Sequence, residues 1–193
     1  MTTPAQASSS SPATVSAASD LPDAPDAEAI YVVLKAAVAA WLAGLTDRRP
    51  ALVGIHTGGA WLAERLHREL CPDAPLGFLS SAFHRDDFAH RGLRTGTGSS
   101  AGKTRIEFEV AGADILLIDD ILYTGRTVRA AINELYDYGR PRSVELAVLL
   151  DRGGRELPVQ AGLCGVRIPL QPEQGFVLSR LAEGGFSLTV ERA

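Results

Sequence analysis

Two adjacent carboxylates, Asp119 and Asp120, stand four residues ahead of the run Thr124-Gly125-Arg126-Thr127. The residues before them, Ile115–Ile118, are all aliphatic, as in a strand buried on both faces. Behind them Val128, Ala131, Ile132 and Leu135 recur at helical spacing. The string therefore reads as strand, loop, helix, with the acids delivered to the strand's carboxyl end, where open α/β sheets bind ligands. The start of the helix offers free N–H groups, the positive end of its dipole, a permissive glycine and two hydroxyls, which together make an anion cradle. Carboxylates beside such a cradle would repel a bare phosphate. They suit a ligand that also presents hydroxyls or carries Mg²⁺, and a sugar phosphate does both. An ordinary strand-to-helix turn with a threonine cap would need only part of this string.

The rest of the chain supplies elements to hold that loop. Apolar residues from Ile30 to Leu42 form one helical face between Asp26 and Gly44. Ala51–Ile55 reads as a strand, His56-Thr57-Gly58-Gly59 as a loop, and Ala60–Leu70 as a helix ended by Pro72. Gly58 and Gly59 directly follow the strand, so positive φ is expected of them, with their N–H groups turned towards an anion. Leu76–Phe83 reads as a strand and Arg105–Val110 as one arm of a hairpin. Between them, residues 84–103 are polar and Gly-rich, a long loop of the kind that is functional or mobile. Helix Val128–Tyr138 and strand Val144–Leu150 complete a βαβ unit, which predicts a parallel sheet with helices on both faces. Beyond Asp151, pieces around Val166, Phe176–Leu181 and Phe186–Val190 read as a small appended subdomain.

The chain has 193 residues, 46% of them hydrophobic and 22% charged, which suits one globular domain with a sizeable core. Charge and proline break the apolar runs well short of the roughly 18 residues a membrane span needs. Collagen, coiled-coil and integral-membrane classes are excluded. Cys71 and Cys164 are too few for a disulfide scaffold and read as reduced thiols of a cytoplasmic protein. Residues 1–26 are Ala-, Ser-, Thr- and Pro-rich, the composition of a disordered tail, leaving 27–193 as the folded domain. No Lys or Arg precedes Lys35, so neither a secretory nor a transit signal is expected. The net charge of −4 comes from Asp20, Asp23, Asp26 and Glu28; without them acids and bases balance at 19 each. Such a body gives no global signature of a nucleic-acid binder.

With these residues in view, Ile115–Thr127 resembles the phosphoribosyl pyrophosphate (PRPP) motif of type I phosphoribosyltransferases. The stretches Leu122–Ala131, Tyr138–Pro141, Leu146–Arg152 and Arg155–Pro158, with Arg85-Asp86-Asp87 upstream, narrow the resemblance. They are similar to the pyrimidine operon attenuation protein/uracil phosphoribosyltransferase family over roughly residues 28 to 180. The resemblance implies an α/β fold with a central parallel sheet of about five strands, flanking helices and a small hood. It implies the conversion of uracil and PRPP into UMP and pyrophosphate, with Mg²⁺ as cofactor and a homo-oligomer, dimer or larger.

Within that resemblance Asp119 and Asp120 contact the ribose hydroxyls and help place Mg²⁺, mostly through PRPP. Tyr123, Thr124, Gly125, Arg126 and Thr127 form the 5′-phosphate loop. Thr57, Gly58 and Gly59 form the pyrophosphate loop, Asp151 and Arg152 lie where the base is read, and residues 84–103 close over the site, bringing Arg85 to the pyrophosphate. The family's pyrophosphate loop is of a Lys-Thr-Arg-Gly type. Here His56-Thr57-Gly58-Gly59 carries neither positive charge, and an arginine at position 58 is expected to restore one. The segment Val159–Val166 is less basic than in RNA-binding members, which predicts weak RNA binding. Two other functions stay open: a UMP-sensing RNA-binding regulator with little catalysis, and a type I transferase for another base.

No Ser-His-Asp or Cys-His arrangement stands out. His67 reads as a helix-surface residue, His84 and His90 as solvated loop residues, and Trp41 and Trp61 as core or subunit contacts. Arg140, Arg142, Arg152, Arg155 and Arg167 could gather into a basic surface once folded.

Overall fold

The computed structural model describes residues 23–45, 50–80 and 102–192. Residues 1–22 of the expected tail and 84–101 of the expected loop, with Arg85, His84 and His90, lie outside the described residues.

In chain order the elements are α1 (Ala27–Ala43), β1 (Ala51–Ile55), α2 (Gly58–Leu70), β2 (Leu76–Leu79), β3 (Asp114–Leu122), α3 (Arg126–Asp137), β4 (Ser143–Asp151), β5 (Leu163–Arg167), β6 (Gln174–Arg180) and β7 (Phe186–Arg192). Strands β1 to β5 form one parallel sheet ordered β2-β1-β3-β4-β5. This is the α/β architecture the sequence predicts.

Alternation along the central strands divides the core between the sheet's two faces. Leu52, Leu116, Ile118, Ala147 and Leu149 share one cluster with Ile30, Leu34, Val38, Leu62 and Leu66 of the first two helices. Val53, Ile115, Leu117, Leu146 and Val148 share the other with Val128, Ala131 and Leu135 of α3. Strand β3 is therefore covered on both sides, and its aliphatic run is the physical reason it sits at the centre.

Three differences from the sequence reading have structural causes. The piece around Val166 is not appended: it is β5, hydrogen-bonded to β4 as the fifth strand. Only β6 and β7 form a separate small sheet, an antiparallel hairpin whose Phe176, Leu178, Phe186 and Leu188 enter the α1/α2 core. Arg105–Val110 is not a hairpin arm; it makes a single antiparallel bridge, Phe78 to Arg105, while Ile106 and Phe108 pack beside the α3 core.

The first helix begins with Asp26, whose carboxylate accepts the N–H groups of Glu28 and Ala29 at 2.9 and 3.3 Å. Arg65 of α2 then fastens three elements together. It donates to both oxygens of Glu28 at 2.8 and 2.9 Å and to Glu69 at 3.0 Å. Its guanidinium lies 4.0 Å from the Tyr31 ring centroid and 5.2 Å from that of Phe186. Glu28 in turn accepts the Phe186 N–H at 2.7 Å. One arginine thus joins the first helix, the second and the last strand.

Candidate active site

Strand β3 runs further than its aliphatic core suggests. It continues through Asp119 and Asp120 to Leu122, in register with Val148, Leu150 and Asp151 of β4. The acids are thus fixed by the ladder rather than carried on a loop. Asp119 is buried, and its Oδ1 accepts the Asp120 N–H at 3.0 Å. Asp120 is half-buried.

The start of α2 is pressed against this pair. A Cβ placed on Gly59 would stand 2.9 Å from the Asp119 Cα and closer still to the Ile118 carbonyl oxygen. One on Gly58 would overlap the Asp120 carboxylate. Gly54 makes the matching approach from β1, its hypothetical Cβ 2.7 Å from the Ala60 Cα. The glycines therefore serve close approach. Neither Gly58 nor Gly59 has positive φ; both lie in the first turn of α2, which starts at Gly58 rather than at Ala60. An arginine at position 58 would bring a Cβ against the Asp120 carboxylate as well as adding charge. The His56–Thr57 peptide just before is cis.

The Thr124–Thr127 segment forms the expected turn into α3. Gly125 is left-handed at φ +92°, a conformation that favours glycine, and the Thr124 hydroxyl oxygen accepts the Arg126 N–H at 3.2 Å. Arg126 is exposed and donates to Glu156 at 2.8 Å.

A prop behind this turn was not foreseen. Arg155 donates to the carbonyls of Tyr123 at 2.5 Å, Gly153 at 3.2 Å and Val159 at 3.0 Å, and pairs with Asp151 at 2.7 Å. The Thr124 carbonyl accepts the N–H groups of Glu156 and Leu157 at 3.0 and 3.1 Å. Residues 153–159 thus hold the turn from below. The motif Arg155-Glu156-Leu157-Pro158 was the available signal, but nothing in its composition says that the arginine faces inward.

Asp151 and Arg152 end β4. The Asp151 carboxylate also accepts the Gly153 N–H at 2.9 Å and lies 3.7 Å from Arg167. Arg152 is buried, with its guanidinium carbon 3.7 Å from the Tyr123 ring centroid. An open cleft of about 440 Å³ lies alongside, walled by Asp151, Arg155, Val159, Gln160, Arg167 and Pro169.

A family model described as phosphoribosyl transferase domain matches residues 27–177. A bifunctional protein PyrR from Ralstonia nicotianae is 47% identical over 159 residues, 82% of this chain and 88% of the relative. The chain belongs to the PyrR family. A second PyrR, from Nitrosococcus oceani, is 51% identical over 128 residues, covering 65% of this chain and 70% of that one. A hypoxanthine-guanine phosphoribosyltransferase structure from Bacillus anthracis superposes with a TM-score of 0.58 at 18% identity, covering 77% and 82% of the two chains; this likeness shows the fold.

In this PyrR relative the structure brings Asp119, Asp120, Gly58 and Gly59 together, and Tyr123 together with Arg152. Arg85 lies outside the described residues. The five arginines do not make one surface. Arg142 pairs with Asp114 at the amino ends of β3 and β4, whereas Arg152, Arg155 and Arg167 lie at the carboxyl ends. A strand of nine residues separates the two groups, roughly 30 Å at the usual rise. His67 makes a structural contact, 2.8 Å from the Ala74 carbonyl. Cys71 and Cys164 are free, and burial pushes both thiols up, away from the nucleophilic thiolate. Among the described residues no helix is long and apolar enough to cross a membrane.

Proposed function

We propose that this chain transfers the phosphoribosyl group of PRPP to uracil, giving UMP and pyrophosphate. The observation that carries the reading is the contact of the α2 start with Asp120: one anion-binding helix terminus and the acidic pair share the sheet end that also launches the phosphate turn. Family membership supports the same reaction.

In the reaction the bond from the ribose anomeric carbon to pyrophosphate breaks and a bond to the base nitrogen forms, with loss of the proton on that nitrogen. Positive charge grows on the ribose ring as the leaving group departs, as in glycosyl transfer generally. Positioning and electrostatics supply most of the rate. Thr124, Gly125, Arg126 and Thr127 hold the 5′-phosphate on the first turn of α3, with Tyr123 at the loop's start. Asp119 and Asp120 take the ribose hydroxyls. The N–H groups of Thr57, Gly58 and Gly59 face the pyrophosphate, joined by Arg85. Asp151 and Arg152 read the base.

The acidic pair fits a magnesium ion held mainly by its ligand. One oxygen of Asp119 is already used by a backbone N–H, and no three His, Cys, Asp or Glu residues among those described converge as a metal cage. Mg²⁺ usually keeps several waters and substrate oxygens beside one or two carboxylates. Once bound with PRPP, it would neutralise charge on the departing pyrophosphate.

The proposal extends to a single transferase domain over residues 27–193, a homo-oligomeric assembly measurable by light scattering, and a cytoplasmic location. The deciding assay offers PRPP and Mg²⁺ with uracil, hypoxanthine, guanine or orotate. Product from uracil alone is expected; turnover of a purine or orotate in its place overturns the base assignment. A second, regulatory role is favoured by the description of the relatives as bifunctional. Titration against the chain's own pyrimidine-operon leader RNA and a scrambled control, with and without UMP, tests it.

A further inference from the structure

Arg152 has an environment that its place at the end of β4 does not explain. It is only 7% exposed, yet its Nε has no hydrogen-bond partner, and Nη2 reaches a single carbonyl, that of Gln171, at 3.4 Å. A buried guanidinium with an unpaired Nε is costly unless something compensates it. What lies against it is an aromatic face. Its Cζ sits 3.7 Å from the Tyr123 centroid, close enough for a strong cation–π contact.

Two further features keep that ring in place. The Arg152 N–H donates to the Leu122 carbonyl at 3.0 Å, which locks the residue before Tyr123 to Arg152 itself. Gly154 has φ +69°, and a Cβ there would stand 3.0 Å from Tyr123 Cδ2 and nearer still to Cε2. The ring is thus wedged between a guanidinium and a backbone that tolerates no side chain.

We propose that Tyr123 is a positioning residue for base recognition: its ring seats the buried Arg152 guanidinium so that the terminal nitrogens, rather than the enclosed Nε, meet a carbonyl oxygen of the pyrimidine. The inference rests on the reading of Arg152 as a base contact and adds the residue that orients it. It also links the two halves of the ligand, since Tyr123 opens the loop assigned to the 5′-phosphate.

The test compares Tyr123→Leu, Tyr123→Phe and Gly154→Ala with the parent. Steady-state rates give KM for uracil and for PRPP, and calorimetry gives affinities for UMP and for ribose 5-phosphate, which lacks the base. Losing the ring face, or pushing it away with an alanine methyl, is expected to raise the uracil KM roughly tenfold, with the PRPP KM rising by a clearly smaller factor because Tyr123 also opens the 5′-phosphate loop. UMP affinity falls by a larger factor than ribose 5-phosphate affinity. Tyr123→Phe keeps the ring and recovers most of what Tyr123→Leu loses. Parallel rises in both KM values, or equal losses for UMP and ribose 5-phosphate, overturn the inference alone, as does a phenylalanine variant as poor as the leucine one. A parent that makes no UMP from uracil sinks the functional reading and this inference with it.

Discussion

Replacing Gly58 by alanine adds one methyl group at the most crowded point of the site. That carbon would stand 2.5 Å from Asp120 Cγ and 2.8 Å from its Cβ, whereas ordinary contact begins near 3.4 Å. The carboxylate must therefore retreat by about 1 Å, and a displacement of that size at a reacting centre typically costs about a hundredfold in rate. The folded state loses stability too. The half-buried Asp120 carboxylate can turn away for about 0.5–1.5 kcal/mol, but its Cβ cannot. The small backbone shift it needs is of the kind that costs about 1–3 kcal/mol, so Tm falls by roughly 5–10 °C in a chain of this size. Initial rates over a range of PRPP concentrations, with melting followed by circular dichroism, should show kcat/KM down by about two decades in a protein still fully folded at the assay temperature. The causal route is checked by the double variant with Asp120→Asn. Residues acting through one another are non-additive, so Gly58→Ala should cost little more once Asp120 has lost its charge. A variant within about threefold of the parent, or costs that simply add, would refute the argument that this glycine acts through Asp120.

Asp120→Asn alone should fold normally and lose about a hundredfold or more in turnover, measured at saturating PRPP. Arg155→Ala removes the nearest cation from the Asp151 carboxylate and a donor from several carbonyls; it should destabilise by about 2–3 kcal/mol, seen as a Tm lower by roughly 5–10 °C, and weaken ribose 5-phosphate binding in a calorimeter. Acid should loosen the α1–α2 contact. Burial works to raise the Glu69 carboxyl, but hydrogen bonds from Lys35, Arg65 and Tyr31 outweigh it and hold the group at about 2, against an ordinary value of 4.5. Because the folded value is the lower one, the stabilisation is complete above pH 4.5 and lost as pH falls towards 2. Denaturant midpoints measured across that window should drop less steeply in Glu69→Gln than in the parent.

The chemistry was legible where sequence neighbours are also spatial neighbours. Asp119, Asp120 and Thr124–Thr127 lie on one strand-to-helix turn, and their spacing alone describes most of what the turn can hold. The aliphatic run of β3 likewise announced its central place. What stayed hidden depends on contacts between distant segments. Gly58 and Gly59 looked like a loop that needed special torsions, but their reason is β3, more than fifty residues away in the chain: the Asp120 side chain for Gly58 and the backbone of Ile118 and Asp119 for Gly59. Arg155 looked like surface charge because nothing local says that five acceptors wait beneath it. Strand β5 was missed as a sheet member because Leu163–Arg167 holds two small residues, Cys164 and Gly165, instead of a bulky apolar run. Gly165 is small for a reason visible only in three dimensions: a Cβ there would stand 2.6 Å from the Ile30 side chain.

The Glu28–Phe186 contact spans 158 residues, so the first helix is completed by a segment made long after it. At ordinary translation speeds of about 5–20 residues per second, α1 leaves the ribosome roughly 10–30 s before the hairpin that covers Phe176, Leu178, Phe186 and Leu188 exists. Throughout that interval Ile30, Leu34 and Val38 lack part of their cover, and Arg65 lacks the Phe186 ring. A stop codon or a cleavage just before Phe186 would leave every residue proposed to bind PRPP encoded and the first helix without its seal. Such truncations should therefore be lost to aggregation or proteolysis before their catalysis can be measured.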